Sequence, residues 1–90
     1  MNNKFKVDDI VEWTSHSQSN STTKKGTVVA VVPPSTKFPN IEAELSTRYT
    51  FVSRYGGGHP RTFESYAVLV SDGKYNMLYW PKPSQLRKAE

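Results

Sequence analysis

Apolar residues fall in short runs along this chain, and their spacing points to strands rather than helices. Ile10-Val11-Glu12-Trp13-Thr14 sets a polar glutamate among apolar residues after Asp8-Asp9, a pair suited to a turn, and predicts a first strand over residues 9 to 14. Residues 15 to 25, SHSQSNSTTKK, hold no apolar anchor to offset the entropy of ordering, so a long mobile loop is expected there. Lys25-Gly26-Thr27-Val28-Val29-Ala30-Val31-Val32 is the strongest strand signal. Its unbroken apolar run calls for burial on both faces or curvature around a barrel, and Pro33-Pro34, which cannot donate ladder hydrogen bonds, ends it.

Beyond an extended connection through PPSTKFP, Asn40-Ile41-Glu42-Ala43-Glu44-Leu45 predicts a short helix. Asn40 would be its N-cap, the acids would suit its first turn, and Ile41 and Leu45 lie one turn apart. Tyr49 to Ser53 alternates large and small residues as a strand should, and Glu64 to Ser71 predicts another, with Tyr66, Val68 and Val70 on one face and Ala67 and Leu69 on the other. Asp72-Gly73 marks the clearest hairpin turn and pairs that strand with Lys74 to Trp80. Alternation sets Leu78 and Trp80 on one face of the last segment and Tyr75, Met77 and Tyr79 on the other. Ser84-Gln85-Leu86-Arg87 suffices for one helical turn anchored by Leu86.

Composition agrees with a mostly β fold: nine Val, five Tyr, four Phe and two Trp stand against four Ala and four Leu. Ninety residues suffice for a single domain, 1–90, whose limited core should include Trp13 and Trp80. The absence of cysteine excludes disulfides, thiolate metal sites and cysteine nucleophiles. The start MNNKFKVDD lacks the apolar core of a signal peptide and no stretch is long and apolar enough to span a bilayer, so cytoplasmic residence without a membrane partner is expected.

The net charge of +4 is modest, and its placement says more than its size. No acid lies between Glu44 and Glu64, whereas Arg48, Arg54, His59 and Arg61 all do, around the run Arg54-Tyr55-Gly56-Gly57-Gly58-His59-Pro60-Arg61. Glycine lacks a Cβ, so successive backbone amides can approach and converge on an anion. Arg54 and Arg61 would bracket a phosphate-bearing ligand with forked hydrogen bonds while Tyr55 or His59 stacks on a base. The candidate binding residues are therefore Arg48, Arg54, Tyr55, Gly56, Gly57, Gly58, His59 and Arg61, with Tyr79 as a further stacking candidate. Replacing Arg54 and Arg61 together by alanine should then abolish binding and leave thermal stability nearly intact. The competing reading is a solvated hairpin tip, since the triple glycine matches neither the P-loop nor the dinucleotide fingerprint.

Enzyme chemistry has little to stand on. His16 and His59 lack metal-ligand spacing and accompany no cysteine, and the serines of residues 15 to 21 have no GxSxG context or nearby base, so no catalytic residue, metal or cofactor is expected. Lys24-Lys25 and Arg87-Lys88 read as solvated charge.

The order Lys6-Val7-Asp8-Asp9-Ile10-Val11-Glu12-Trp13, a polar stretch, then Lys25-Gly26-Thr27-Val28-Val29, resembles the opening of SH3-like barrels of the KOW and Tudor type. Small bacterial hypervirulence-associated Tudor-like domains are similar, and they close with a strand and a Pro-containing turn like Lys82-Pro83-Ser84-Gln85-Leu86. Asp8-Asp9 replaces the usual glycine before the first strand, and residues 33 to 63 have no clear counterpart. The resemblance implies an SH3-like or Tudor-like antiparallel barrel with an insertion at about 33–63 that holds the short helix and the glycine-rich hairpin loop. Glu64-Ser65-Tyr66 and Tyr79-Trp80-Pro81 are also similar to phrases in small proteins of phages and mobile elements, which implies a compact sequestering or inhibitory protein.

Two functions follow as expectations. One is a non-enzymatic module that recognises a nucleotide or nucleic acid through the glycine loop; the alternative is an inhibitor or adaptor that binds a host protein through the insertion. Free strand edges of a small barrel would also allow a homodimer.

Overall fold

A strand with no polar side chain from Val28 to Val32 must be covered on both sides, and in the computed structural model it is. The structure describes residues 4–17, 20–54 and 59–89. Strand β1 (Ile10–Ser17) and β2 (Asn20–Val32) form an antiparallel hairpin, followed by helix α1 (Phe38–Leu45), the short β3 (Val52–Ser53), the hairpin of β4 (Ser65–Asp72) and β5 (Tyr75–Tyr79), a 3₁₀ turn (Pro83–Gln85), and β6 (Arg87–Lys88). They make a mixed six-stranded sheet in the order β3-β5-β4-β2-β1-β6, antiparallel throughout except where β3 runs parallel to β5. The sheet is open, with β3 and β6 at its edges among the described residues.

Each face carries its own buried layer. On one, Val11, Trp13, Val28, Tyr66 and Val68 are closed over by Phe5 from the N-terminal segment and Leu86 from the turn before β6. On the other, Val29, Val32, Ala67, Leu78 and Trp80 pack with Phe38 and Leu45 of α1. The alternation expected for β4 holds, and the register explains why five apolar residues in a row suit β2. Val28 lies opposite Val68 but Ala30 opposite Ala67, so β2 carries one extra residue at Val29. That bulge sends Val28 and Val31 to the first layer and Val29, Ala30 and Val32 to the second, and bulges sharpen strand bending and twist.

Curvature is visible across the first layer. Strands β1 and β5 are separated by β4 and β2, about 14 Å on a flat sheet, yet the rings of Trp13 and Tyr79 meet edge to face with centroids 5.5 Å apart. β2 also lies close against β4 at Gly26: a Cβ there would lie 2.6 Å from the Leu69 carbonyl oxygen and 2.8 Å from Val68 Cγ1.

Three expectations need correction. Residues 15–25 are not a long mobile loop: β1 runs to Ser17, β2 starts at Asn20, and the two stay in register from Ile10↔Thr27 to Ser17↔Asn20. A backbone ladder needs no apolar side chain, and Thr14 and Thr23 add a hydroxyl pair at 3.1 Å across it. The helix starts at Phe38 rather than Asn40, with Lys37 at the N-cap position and Pro39 within the first turn, where a missing N–H costs nothing. Of Tyr49–Ser53 only Val52 and Ser53 form strand; Tyr49 and Phe51 pack against the second layer instead.

The hairpin turn lies one residue further on than expected: Asp72 belongs to β4 and pairs with Tyr75, so the two-residue loop is Gly73-Lys74, with Gly73 at φ +65° supplying the positive φ. Leu86 is buried and holds the C-terminal segment down, while Arg87 meets Glu12 at 2.7 Å across the β1–β6 pair. Among the described residues no helix is long and apolar enough to cross a membrane.

Tyr66 links the chain's start to the sheet. Its hydroxyl accepts the Phe5 N–H and donates to Glu64 Oε1, both at 3.2 Å. Burial raises the phenol above its ordinary value, the Phe5 bond opposes that, and the charge and hydrogen bond of Glu64 add to it. A folded-state value above the unfolded one gives stability that is complete below about pH 10 and lost as pH rises through the folded value. Denaturant titrations should therefore show stability falling above about pH 10. Tyr66→Phe, weaker at neutral pH by about 1 kcal/mol for the lost acceptor, should fall less steeply over that range.

Candidate ligand-binding site

The two ends of the glycine run are fastened to one short stretch of chain. At the first end, β3 pairs with Met77 and Leu78, and the Arg54 N–H continues the pairing by donating to the Leu78 carbonyl at 2.8 Å. The Ser53 hydroxyl donates to Glu42 of α1, which ties this end to the helix as well. At the second end, the Arg61 carbonyl accepts from Ser35 N–H at 2.7 Å. Its guanidinium donates from Nη2 to the Trp80 carbonyl at 2.8 Å and from Nη1 to the Pro81 carbonyl at 3.0 Å. Leu78 and Trp80 are two residues apart, roughly 7 Å on an extended strand, so the loop leaves and returns at the same end of β5.

Trp80 is the hub of this anchorage. Its indole stacks on Phe38 with centroids 4.4 Å apart and planes 18° from parallel, and its Nε1 donates to the buried Ser65 hydroxyl at 2.7 Å. The Arg61 guanidinium carbon lies 3.8 Å from the indole centroid, and burial lowers the guanidinium below its ordinary value. An arginine remains charged there, so cation–π attraction and two charged hydrogen bonds act together.

This overturns one expectation. The fork of Arg61 is engaged with main-chain carbonyls, so alanine at this position cannot leave stability nearly intact. Arg61→Ala should cost about 2–3 kcal/mol, read from urea unfolding, because a charged hydrogen-bonded pair and a ring contact disappear together.

The other candidates are distributed as follows. Arg54 and His59 are exposed at the two ends of the loop. Tyr55, Gly56, Gly57 and Gly58 lie outside the described residues. Arg48 is exposed on the turn after α1, its N–H bonded to the Leu45 carbonyl. Tyr79 is half-buried on the opposite face from Trp80, edge to face with Trp13, with Lys24 Nζ 5.6 Å from its ring centroid. The structure thus brings Arg54 and Arg61 to one place and sets Tyr79 on the other face of the sheet.

No family model, curated protein or solved structure matches this chain. The site is therefore read from its own residues. Two acids near the cationic interval have hydroxyl partners, Glu42 with Ser53 and Glu64 with Tyr66. Arg48, Arg54 and His59 form no ion pair among the described residues. There too, no cluster of three or more His, Cys, Asp or Glu side chains could hold a metal ion.

One residue of interest was missed by the sequence reading. Phe63 is 48 % exposed, and its ring centroid is 6.0 Å from the Arg61 guanidinium carbon. The signal was available, since Phe63 is an aromatic two positions beyond Arg61 inside the acid-free interval.

Proposed function

We propose that this chain is a non-enzymatic binding module that holds a phosphate-bearing ligand, a nucleotide or a nucleic acid, at the loop between Arg54 and Arg61. The observation that carries the proposal is the double anchorage of the loop beside the exposed Arg54. Both ends are bonded to the Leu78–Pro81 stretch, while Arg54 and His59 are exposed. An anchored loop has less freedom to lose when a ligand arrives. Within this proposal Arg61 positions the loop, Arg54 supplies charge, His59 offers an imidazole for hydrogen bonding or stacking, Arg48 adds to the local field, and glycine, lacking a Cβ, is the residue type that would let backbone amides approach anionic oxygens.

The resemblance to SH3-like barrels of the KOW and Tudor type belongs to the same proposal. What supports it is pairing order: without α1 and β3 the strands run β6-β1-β2-β4-β5, the last returning beside the first after a 3₁₀ turn. The curvature that joins Trp13 to Tyr79 points the same way. Residues 33–63 would then be the insertion that brings α1, β3 and the loop to the barrel. The second reading, an inhibitor that binds a host protein through this insertion, draws support from β3, an edge strand with Val52 44 % exposed.

Arg54 separates them. Its main-chain N–H holds β3 whatever the side chain, so Arg54→Ala should melt like the wild type yet bind a short single-stranded oligonucleotide about tenfold more weakly or worse. Arg54→Lys should recover only part of the loss, because a point charge does not replace the planar fork. Unchanged oligonucleotide affinity in Arg54→Ala would contradict the proposal.

A further inference from the structure

Phe63 stands apart from the other phenylalanines: Phe5 and Phe38 are buried and Phe51 packs against the second layer, whereas Phe63 is nearly half exposed. A single exposed apolar residue is ordinary on a protein surface, and exposure alone carries nothing. Its position beside Arg61 does. Two main-chain carbonyls and the Trp80 ring fix the Arg61 guanidinium, and that group in turn faces the Phe63 ring at 6.0 Å. A half-exposed ring is thereby held next to the anchored end of the loop, with about half of its surface left open to solvent.

We propose that Phe63 is the platform on which an unpaired nucleobase of the ligand stacks, an inference that rests on the phosphate-binding reading above. A phenyl ring offers a flat apolar face and no hydrogen-bonding group, so it reads no particular base edge but needs a base whose own face is free. A base inside a duplex is covered on both faces by its neighbours. The ligand class is therefore a nucleobase joined to phosphate and not stacked in a duplex, supplied either by single-stranded nucleic acid or by a free nucleotide. The cations attract the phosphates and Phe63 takes the base.

The test measures the affinity of the wild-type chain for three probes of equal length: single-stranded oligothymidylate, an abasic oligomer that keeps sugar and phosphate, and a duplex. Oligothymidylate should bind best, and Phe63→Ala should bring it down about tenfold to the abasic level without changing abasic binding, both measured at temperatures where the variant remains folded. Phe63→Trp should keep the difference between base-bearing and abasic probes. Competition by thymidine monophosphate at similar affinity identifies a nucleotide ligand, and failure to compete identifies the polymer; both agree with the inference. Equal binding of oligothymidylate and the abasic oligomer, preference for the duplex, or a difference that survives Phe63→Ala overturns it while leaving the phosphate reading in place. No binding of any probe at low salt removes both.

Discussion

Trp80→Ala should be the most destabilising single substitution in this protein, at about 3–5 kcal/mol, the usual cost of emptying a buried aromatic site. A domain of this size is stable by only roughly 5–15 kcal/mol, so the loss is a large share of the whole. Several contacts disappear with the indole. Phe38 loses its stacked ring and α1 its hold on the sheet, the buried Ser65 hydroxyl loses the Nε1–H donor, and Arg61 loses the ring beneath its guanidinium. Trp80→Phe keeps a ring without the donor, and should fall between wild type and alanine in urea unfolding. A loss below about 1 kcal/mol for Trp80→Ala would mean that the second layer is not held together through this residue. Because Trp80 also anchors Arg61, oligonucleotide affinity measured at temperatures where the variant remains folded should fall as well.

Gly26→Val should be nearly as damaging, for a different reason. Any Cβ at this position would sit 2.6 Å from the Leu69 carbonyl oxygen, 2.8 Å from Val68 Cγ1 and 2.9 Å from Val70 Cγ2. The nearest atom is backbone, so relief requires β2 and β4 to move apart. Overpacking of that kind costs about 1–3 kcal/mol, and the branched side chain should reach the upper end or beyond. Gly73 provides the contrast: nothing lies within 4 Å of a Cβ there, but its φ of +65° penalises side chains. Asparagine reaches positive φ at less cost than most side chains, so Gly73→Asn should cost about 1 kcal/mol and Gly26→Asn clearly more. Similar chemical-denaturation midpoints for the two asparagine variants would show that the β2–β4 approach is looser than described.

What could be read from the sequence divides along local and non-local lines. Val28–Val32 and the alternation of Tyr66 to Val70 are local patterns that marked their elements, and Gly73 marked the hairpin, though the loop is Gly73-Lys74 rather than Asp72-Gly73. Burial of Trp13 and Trp80 followed from the small size of the chain, and both are indeed buried. The ribbon through residues 15–25 was not legible, because it is held by a ladder between polar residues, and an argument from burial has no way to count main-chain hydrogen bonds. β3 was overestimated because its pairing with β5 is parallel and non-local, set by where α1 delivers the chain. At the site, the charge pattern identified the segment but not the division of labour within it. An arginine stacked on Trp80 and a solvated one are identical in sequence; Trp80 and Pro81, whose carbonyls distinguish Arg61 from Arg54, lie about twenty residues further on.

Phosphate binding by exposed arginines at the anchored loop is tested most directly by titrating the wild-type chain with labelled single-stranded oligonucleotide over a series of salt concentrations. Two phosphates neutralised by Arg48 and Arg54 should make log K fall linearly with log salt, with a slope of roughly −1.4 for a single strand. Absence of binding at low salt, or an affinity that stays flat across the series, would contradict the claim and move attention to the exposed edge at β3 and a protein partner.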